Sequence, residues 1–281
     1  MKNSPILVIG KNGKTGSRVN ERLQALGYTT RPVSRSTTPS FDWERPETWR
    51  SAIEGAASAY VTYQPDLAVP NAEPAIREFV RLAPEAGLEH IVLLSGRGEE
   101  GAQHAEEVLK SSGISWNIVR ASWFCQNFSE NFMIEGILAG ELVLPAGDTV
   151  EPFVDADDIA DVAVAALTEP SHRNKVFEVT GPHALTFAQC IREISETLGR
   201  PVKYTSVPVN AYINALREQG VPEDMQWLLR ELFTVVFDGR NSNVMFGVEE
   251  ALGRPATDFK TYVQKTIGSG VWNTVLQRES A

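Results

Sequence analysis

Short apolar runs alternate with helically spaced stretches over the first 122 residues. The run 5–9, rich in β-branched residues, reads as a buried strand, and 16–26 carries apolar residues at helical spacing. Strands follow at 28–34, 41–43, 57–63, 90–95 and 115–121, and helices at 45–54 (introduced by Pro46), 71–86 and 101–112. Such alternation implies a parallel sheet covered on both faces. Beyond residue 122 the regularity lapses. An aromatic-rich helix is expected over 123–139, and another over 155–167, whose acidic start suits the helix dipole. Short strands at 175–179 and 202–207 flank a helix at 186–198. Further helices are expected at 209–219, 222–236 and 259–267.

The junction between the first strand and helix is the most informative segment. Gly10, Lys11, Asn12, Gly13, Lys14, Thr15 and Gly16 form a G-x-x-G-x-x-G turn directly after the strand. Gly10 permits a tight turn, Gly13 lets backbone amides approach a pyrophosphate, and Gly16 lets the helix lie close to the sheet. A glycine triplet alone is weak evidence. Between a buried strand and an amphipathic helix it reads as a dinucleotide-binding turn. The expected fold class is therefore α/β, a Rossmann-type doubly wound parallel sheet with a smaller C-terminal α/β lobe. The expected domains are 1–153 and 154–281, with some later elements returning to the sheet.

Composition narrows the function. A formal net charge of −10 over 281 residues argues against non-specific nucleic-acid binding. Cys125 and Cys190 are the only cysteines, so neither a disulfide framework nor a cysteine metal site is expected. The four histidines show no metal-ligand spacing. No signal-like or membrane-spanning stretch is read, and a cytoplasmic location is the expectation.

The end of the second strand bears on cofactor choice. An acidic residue there binds a ribose 2′-hydroxyl, whereas arginine accommodates a 2′-phosphate. Here the strand ends in Val33-Ser34-Arg35, and Lys11 and Lys14 add charge nearby, which favours NADP(H) over NAD(H). Asp42 is a candidate for the adenine edge. Thr62 and Gln64 terminate the fourth strand and Ser95 and Gly96 the fifth, where they would flank the cofactor's ribose and nicotinamide.

These residues, with Phe41-Asp-Trp43, Val92-Leu-Leu-Ser95, Ser112-Gly-Ile-Ser-Trp-Asn-Ile-Val-Arg120, Trp123-Phe-Cys-Gln-Asn-Phe128 and Pro152-Phe-Val-Asp-Ala-Asp-Asp-Ile159, resemble the NmrA-like, atypical branch of the short-chain dehydrogenases/reductases. The pattern is most similar to the subgroup with the ergot-alkaloid (agroclavine and festuclavine) dehydrogenases. The resemblance spans nearly the whole chain and implies an NADP-binding Rossmann domain with a small substrate lobe. One departure is chemical. None of the six tyrosines is followed four residues later by lysine, so the superfamily's Tyr-x-x-x-Lys pair is missing. Two others are local: Ala121 replaces a frequent proline, and Lys11 a small loop residue.

Hydride transfer belongs to the nicotinamide, and the protein must orient the acceptor and supply any proton needed. Quinone or iminium acceptors ask less of a protein acid than a ketone does. His104 is a candidate proton donor, the plainer reading being a helix-surface histidine. Ser95 and Tyr63 are candidates for orienting the acceptor. Glu106 and Glu107 read as helix-surface acids. Trp123 and Phe124, with Asn127 as polar anchor and Phe153 opposite, are candidates for an apolar substrate pocket; core packing is the alternative. The leading expectation is an NADPH-dependent reductase of a small hydrophobic, cyclic acceptor such as a quinone, imine/iminium or enone. A non-catalytic NADP(H)-sensing regulator with a protein partner is the alternative.

Overall fold

The computed structural model describes residues 4–273. The chain runs β1 (Ile6–Ile9), α1 (Lys14–Ala25), β2 (Thr30–Val33), α2 (Trp49–Ile53), β3 (Ser58–Val61), α3 (Ala72–Leu82), β4 (His90–Gly96), α4 (Glu100–Lys110) and β5 (Ser115–Ala121). It continues through α5 (Met133–Ala139), β6 (Glu141–Leu144), β7 (Val150–Glu151), α6 (Ala156–Thr168), β8 (Lys175–Val179), β9 (Leu185–Thr186) and α7 (Phe187–Leu198). Next come β10 (Lys203–Ser206), α8 (Val209–Glu218), α9 (Glu223–Glu231), α10 (Gly247–Leu252) and α11 (Phe259–Ile267).

The chain divides into two compact units. The first comprises Met1–Ala121, Ala156–Val179 and Phe246–Pro255. Its six strands lie in the order β2-β1-β3-β4-β5-β8, and every neighbouring pair is parallel. The chain steps from β1 to one side and from β2 to the other, so the order reverses between β1 and β3. That is the topological switch at which open α/β sheets hold ligands. Alternate residues serve the two faces. Leu7, Ile9, Ala59, Val61, Ile91 and Leu93 pack with Ile76, Phe79 and Leu109 of α3 and α4. The opposite face is covered by α1 and α6, which pack together. Each fully buried side chain of this kind contributes about 1.5–3 kcal/mol. Arg22 of α1 binds Asp157 at 2.9 Å and Asp161 at 2.5 Å on α6, and Arg254 binds Asp158 at 2.8 Å.

The second unit comprises Ser122–Asp155, Thr180–Met245 and Ala256–Ala281. It holds the parallel pair β6/β10, the antiparallel pair β7/β9 and an aromatic core that includes Phe128, Phe153, Phe187, Phe233 and Phe259. α7 opens with a capping box: Thr186 Oγ1 accepts from the Gln189 amide, and the Gln189 side chain accepts from the Thr186 amide.

The unit boundary differs from the expected break at 153. The first unit's leading segment ends at Ala121, and 156–179 returns to it. β8 completes the ladder on the free side of β5, from Asn117↔Lys175 to Ala121↔Val179, and α6 covers the sheet. Residues 274–281 of the expected second domain lie outside the described residues.

Two elements also differ. Residues 41–43 are not a strand but a loop, anchored where the Phe41 amide donates to Ser34 O at 3.0 Å and Trp49 Nε1 donates to Asp42 O at 2.6 Å. The expected helix 123–139 is broken. Phe124 is extended and bridges Val154, with Cys125 N donating to Val154 O and Val154 N to Trp123 O, and only a 3-10 turn and α5 remain helical. The short elements β6, β7, β9 and α10 lay below the reach of periodicity.

Candidate active site

Each glycine of the first loop answers a contact. Gly10 has φ +80°, and a Cβ there would lie 2.5 Å from Thr62 Oγ1. A Cβ on Gly16 would collide with the Gly10 carbonyl oxygen, so the first turn of α1 lies directly on the loop. The Gly13 amide donates to Gly10 O at 2.8 Å, closing the turn on itself. The α1 amides that follow stand at a helix N-terminus, where backbone donors lack intrahelical acceptors and favour an anion.

Above this turn lies a cavity of about 400 Å³. Gly10, Asn12 and Gly13 form its floor, Ser34, Arg35 and Asp42 one side, and Thr62 and Gln64 another. Lys11, Lys14, Thr15, Gly16, Ser95 and Gly96 do not line it. Ser36, Trp43 and Glu44 do, although the sequence pattern did not single them out as lining residues. Ser34 Oγ lies 3.1 Å from Ser36 Oγ, and the Ser34 amide donates to Thr37 Oγ1 at 2.9 Å. Thr62 Oγ1 donates to Ile9 O at 3.3 Å. Asp42 Oδ1 accepts from the Glu44 amide at 3.1 Å. The loop and cavity fit the adenosine diphosphate half of a dinucleotide: Gly10 and Gly16, which admit no side chain, a helix N-terminus, and an exposed arginine at the end of β2.

Among the described residues, the three catalytic candidates share no hydrogen bond with one another. Ser95 Oγ donates to Glu106 Oε1 at 2.7 Å, inside the first unit. Glu106 is fully buried, which corrects its reading as a surface acid. Arg120 grips it through two guanidinium nitrogens and reaches Glu178 with a third at 2.7 Å; these bonds, led by that to Glu106, raise the guanidinium's pKa. Ser95 is thus a strut of a buried ion network rather than an open donor. His104 lies on the exposed face of α4, opposite Ala102, Ala105 and Leu109, and takes no part in that network. Tyr63 packs tilted against Trp43, with ring centroids 4.9 Å apart; burial, then the Glu44 carboxylate, raises its phenol above the ordinary range.

Within the second unit, Trp123 is half-buried against Phe187, Phe233 and Phe237, with ring centroids 5.2–5.7 Å away. Phe124 and Asn127 are also half-buried. Phe153 is 2% exposed and packs on Phe128, Phe187 and Phe259, so it belongs to that unit's core and not to a pocket wall. Asp66 and Glu99, acids of different loops, interact electrostatically, and no local signal in the sequence reveals such a pair.

A parallel sheet with a glycine turn and cavity at its switch point defines a Rossmann-type dinucleotide-binding protein. The family model described as NmrA-like matches residues 103–266, and the chain belongs to the NmrA-like family. It is 29% identical over 285 residues to an NAD(P)H azoreductase of Xenophilus azovorans, covering 92% of this chain and 96% of that protein. It is 28% identical over 281 residues to festuclavine dehydrogenase of Aspergillus fumigatus, covering 92% and 97%. Among solved structures, the triphenylmethane reductase of Citrobacter sp. in complex with NADP(H) superposes with a TM-score of 0.78 at 20% identity, covering 93% of this chain and 99% of that one. Among the described residues, no helix is long and apolar enough to cross a membrane.

Proposed function

We propose that this protein is an NADPH-dependent reductase of a small hydrophobic acceptor. The observation that carries the reading is the cavity at the switch point, floored by the glycine turn and edged by Arg35 where an NAD-selective site would carry a carboxylate. Gly10, Asn12, Gly13 and the α1 N-terminus would hold the pyrophosphate, with Ser34 and Arg35 at the 2′-phosphate. When bound, the cofactor supplies hydride, and the chain's part is to orient the acceptor and manage the proton. We assign acceptor contact to Trp123, Phe124 and Asn127 of the second unit. The oxidoreductase relatives support this reading.

A purified sample, followed at the nicotinamide absorbance, is expected to oxidise NADPH with saturable dependence on one class among quinones, cyclic imines and enones. NADPH should bind more tightly than NADH. Arg35→Ala should cost about tenfold in NADPH affinity, the worth of one charge-assisted hydrogen bond, and leave NADH unchanged. Equal affinities for the two cofactors would remove Arg35 from the site. The missing Tyr-x-x-x-Lys favours a second reading, a dinucleotide sensor. Tight dinucleotide binding without turnover would select it.

A further inference from the structure

Asn12 is the one asparagine of the chain that a glycine follows, and it sits in the loop between β1 and α1. The residue is exposed, belongs to a turn and lines the cavity. Among the described residues no hydrogen bond holds its side-chain amide. Gly13, with φ −81° and ψ 164°, is the N-cap of α1. Its nitrogen therefore stands at the positive end of that helix, with Lys11 and Lys14 close in sequence. The proton on this nitrogen is held by Gly10 O at 2.8 Å.

These are conditions under which an asparagine loses its amide to its own backbone. Glycine puts no Cβ in the path between the Gly13 nitrogen and Asn12 Cγ. An exposed amide without a partner can rotate to meet that nitrogen, and nearby positive charge favours the amide anion that attacks. Asn241 shows the contrast. It too precedes a small residue, Ser242, but it is 6% exposed, and its Nδ2 donates to Val236 O at 3.1 Å. Asn117 is fully buried, with Nδ2 donating to His172 O at 2.5 Å.

We propose that Asn12 is a site of spontaneous deamidation, and that its conversion disables the dinucleotide loop. Hydroxide takes the proton from the Gly13 amide, whose nitrogen then bonds to Asn12 Cγ. The Cγ–Nδ2 bond breaks, and the leaving nitrogen takes a proton from water and departs as ammonia. Water opens the resulting five-membered imide, at one carbonyl to aspartate and at the other to isoaspartate. The sum is one water consumed and one ammonia released, with no change of oxidation state. Either product sets a carboxylate where the reading above places the pyrophosphate, and isoaspartate also lengthens the backbone inside the turn closed by Gly10 and Gly13. A bound dinucleotide opposes the step by holding that turn shut, since the Gly13 proton must first leave Gly10 O. The conversion needs only the loop; the loss of binding rests on the dinucleotide reading.

Cofactor-free protein held in warm, mildly alkaline buffer should gain the mass of an amide-to-acid conversion. Peptide mapping should find aspartate and isoaspartate at residue 12 before any other asparagine changes. NADPH at about ten times its Kd should slow the conversion about tenfold, because only the unliganded loop reacts. Asn12→Gln, whose longer side chain closes a ring far less readily, should show no acid at this position. Asn12→Asp, which carries the product's charge, should bind NADPH at least about tenfold more weakly than wild-type. Adenosine 2′-monophosphate, which lacks the pyrophosphate, should be weakened less. Conversion at another asparagine first, an unchanged rate with NADPH bound, or wild-type affinity in Asn12→Asp would each overturn the inference and leave the dinucleotide reading in place. If wild-type binds no NADPH while acid still accumulates at residue 12, the dinucleotide reading fails and the disabling step falls with it.

Discussion

Two buried carboxyl groups, seven residues apart on either side of the start of α4, have opposite surroundings. Glu106 is clasped by Arg120, bonded by Ser95 and approached by Lys110. Glu99 feels only other acids, Asp66 and Glu106. A buried carboxylate with its own cation is an anchor, because its charge is cancelled where it sits and moving it is costly. A buried carboxyl without one minimises the same cost by holding a proton. The difference is decided by Arg120, whose guanidinium points to one carboxyl and not the other.

The largest effect should come from breaking the anchor. Arg120→Met leaves Glu106 buried without its main cation and should destabilise the protein by about 3–5 kcal/mol, read from chemical denaturation. A loss below about 1 kcal/mol would mean that Lys110 and Ser95 suffice, an ordinary value for partly exposed pairs. The second effect is a pH dependence. A carboxyl raised in the folded state binds its proton more tightly there than in the unfolded chain. Its contribution is therefore full at low pH and is lost as pH climbs from the unfolded value toward the folded one. Wild-type should lose about 1.4 kcal/mol for each pH unit across that window, and Glu99→Gln should lose that slope. A Glu99→Gln protein with an unchanged slope would put the raised proton elsewhere. The smallest effect belongs to Glu107, next in sequence to Glu106 but 71% exposed and paired only with Lys110 at 2.7 Å. Glu107→Gln should leave the unfolding midpoint in place. A clear shift would show that Lys110 serves the buried network more than its geometry suggests.

The same contrast separates what could be read in advance. The glycine turn, the β1–α1 junction and Arg35 at the end of β2 were legible because each is a local rule: a turn that admits no side chain, a strand period, a residue at a fixed place. β5, β8 and α11 run over the expected residues, since their apolar spacing is strong. The helix expected over 123–139 failed because Phe124 is drawn into an extended bridge with Val154, thirty positions away. Phe153 read as a pocket wall because an aromatic residue looks the same in a core and in a cleft until its neighbours are known.

By itself the sequence determined the Rossmann-type sheet and the dinucleotide turn, both written in backbone periodicity and glycine placement, and its motifs carried the resemblance to the family. Tertiary structure alone decided the rest. It carried β8 back beside β5 and turned His104 outward. It gave Glu106 a cation and gave Glu99 an acid for a neighbour. The physical reason is range. Periodicity and steric exclusion act over a few residues, whereas the charge state of a buried group depends on which distant side chains the fold brings within hydrogen-bonding distance.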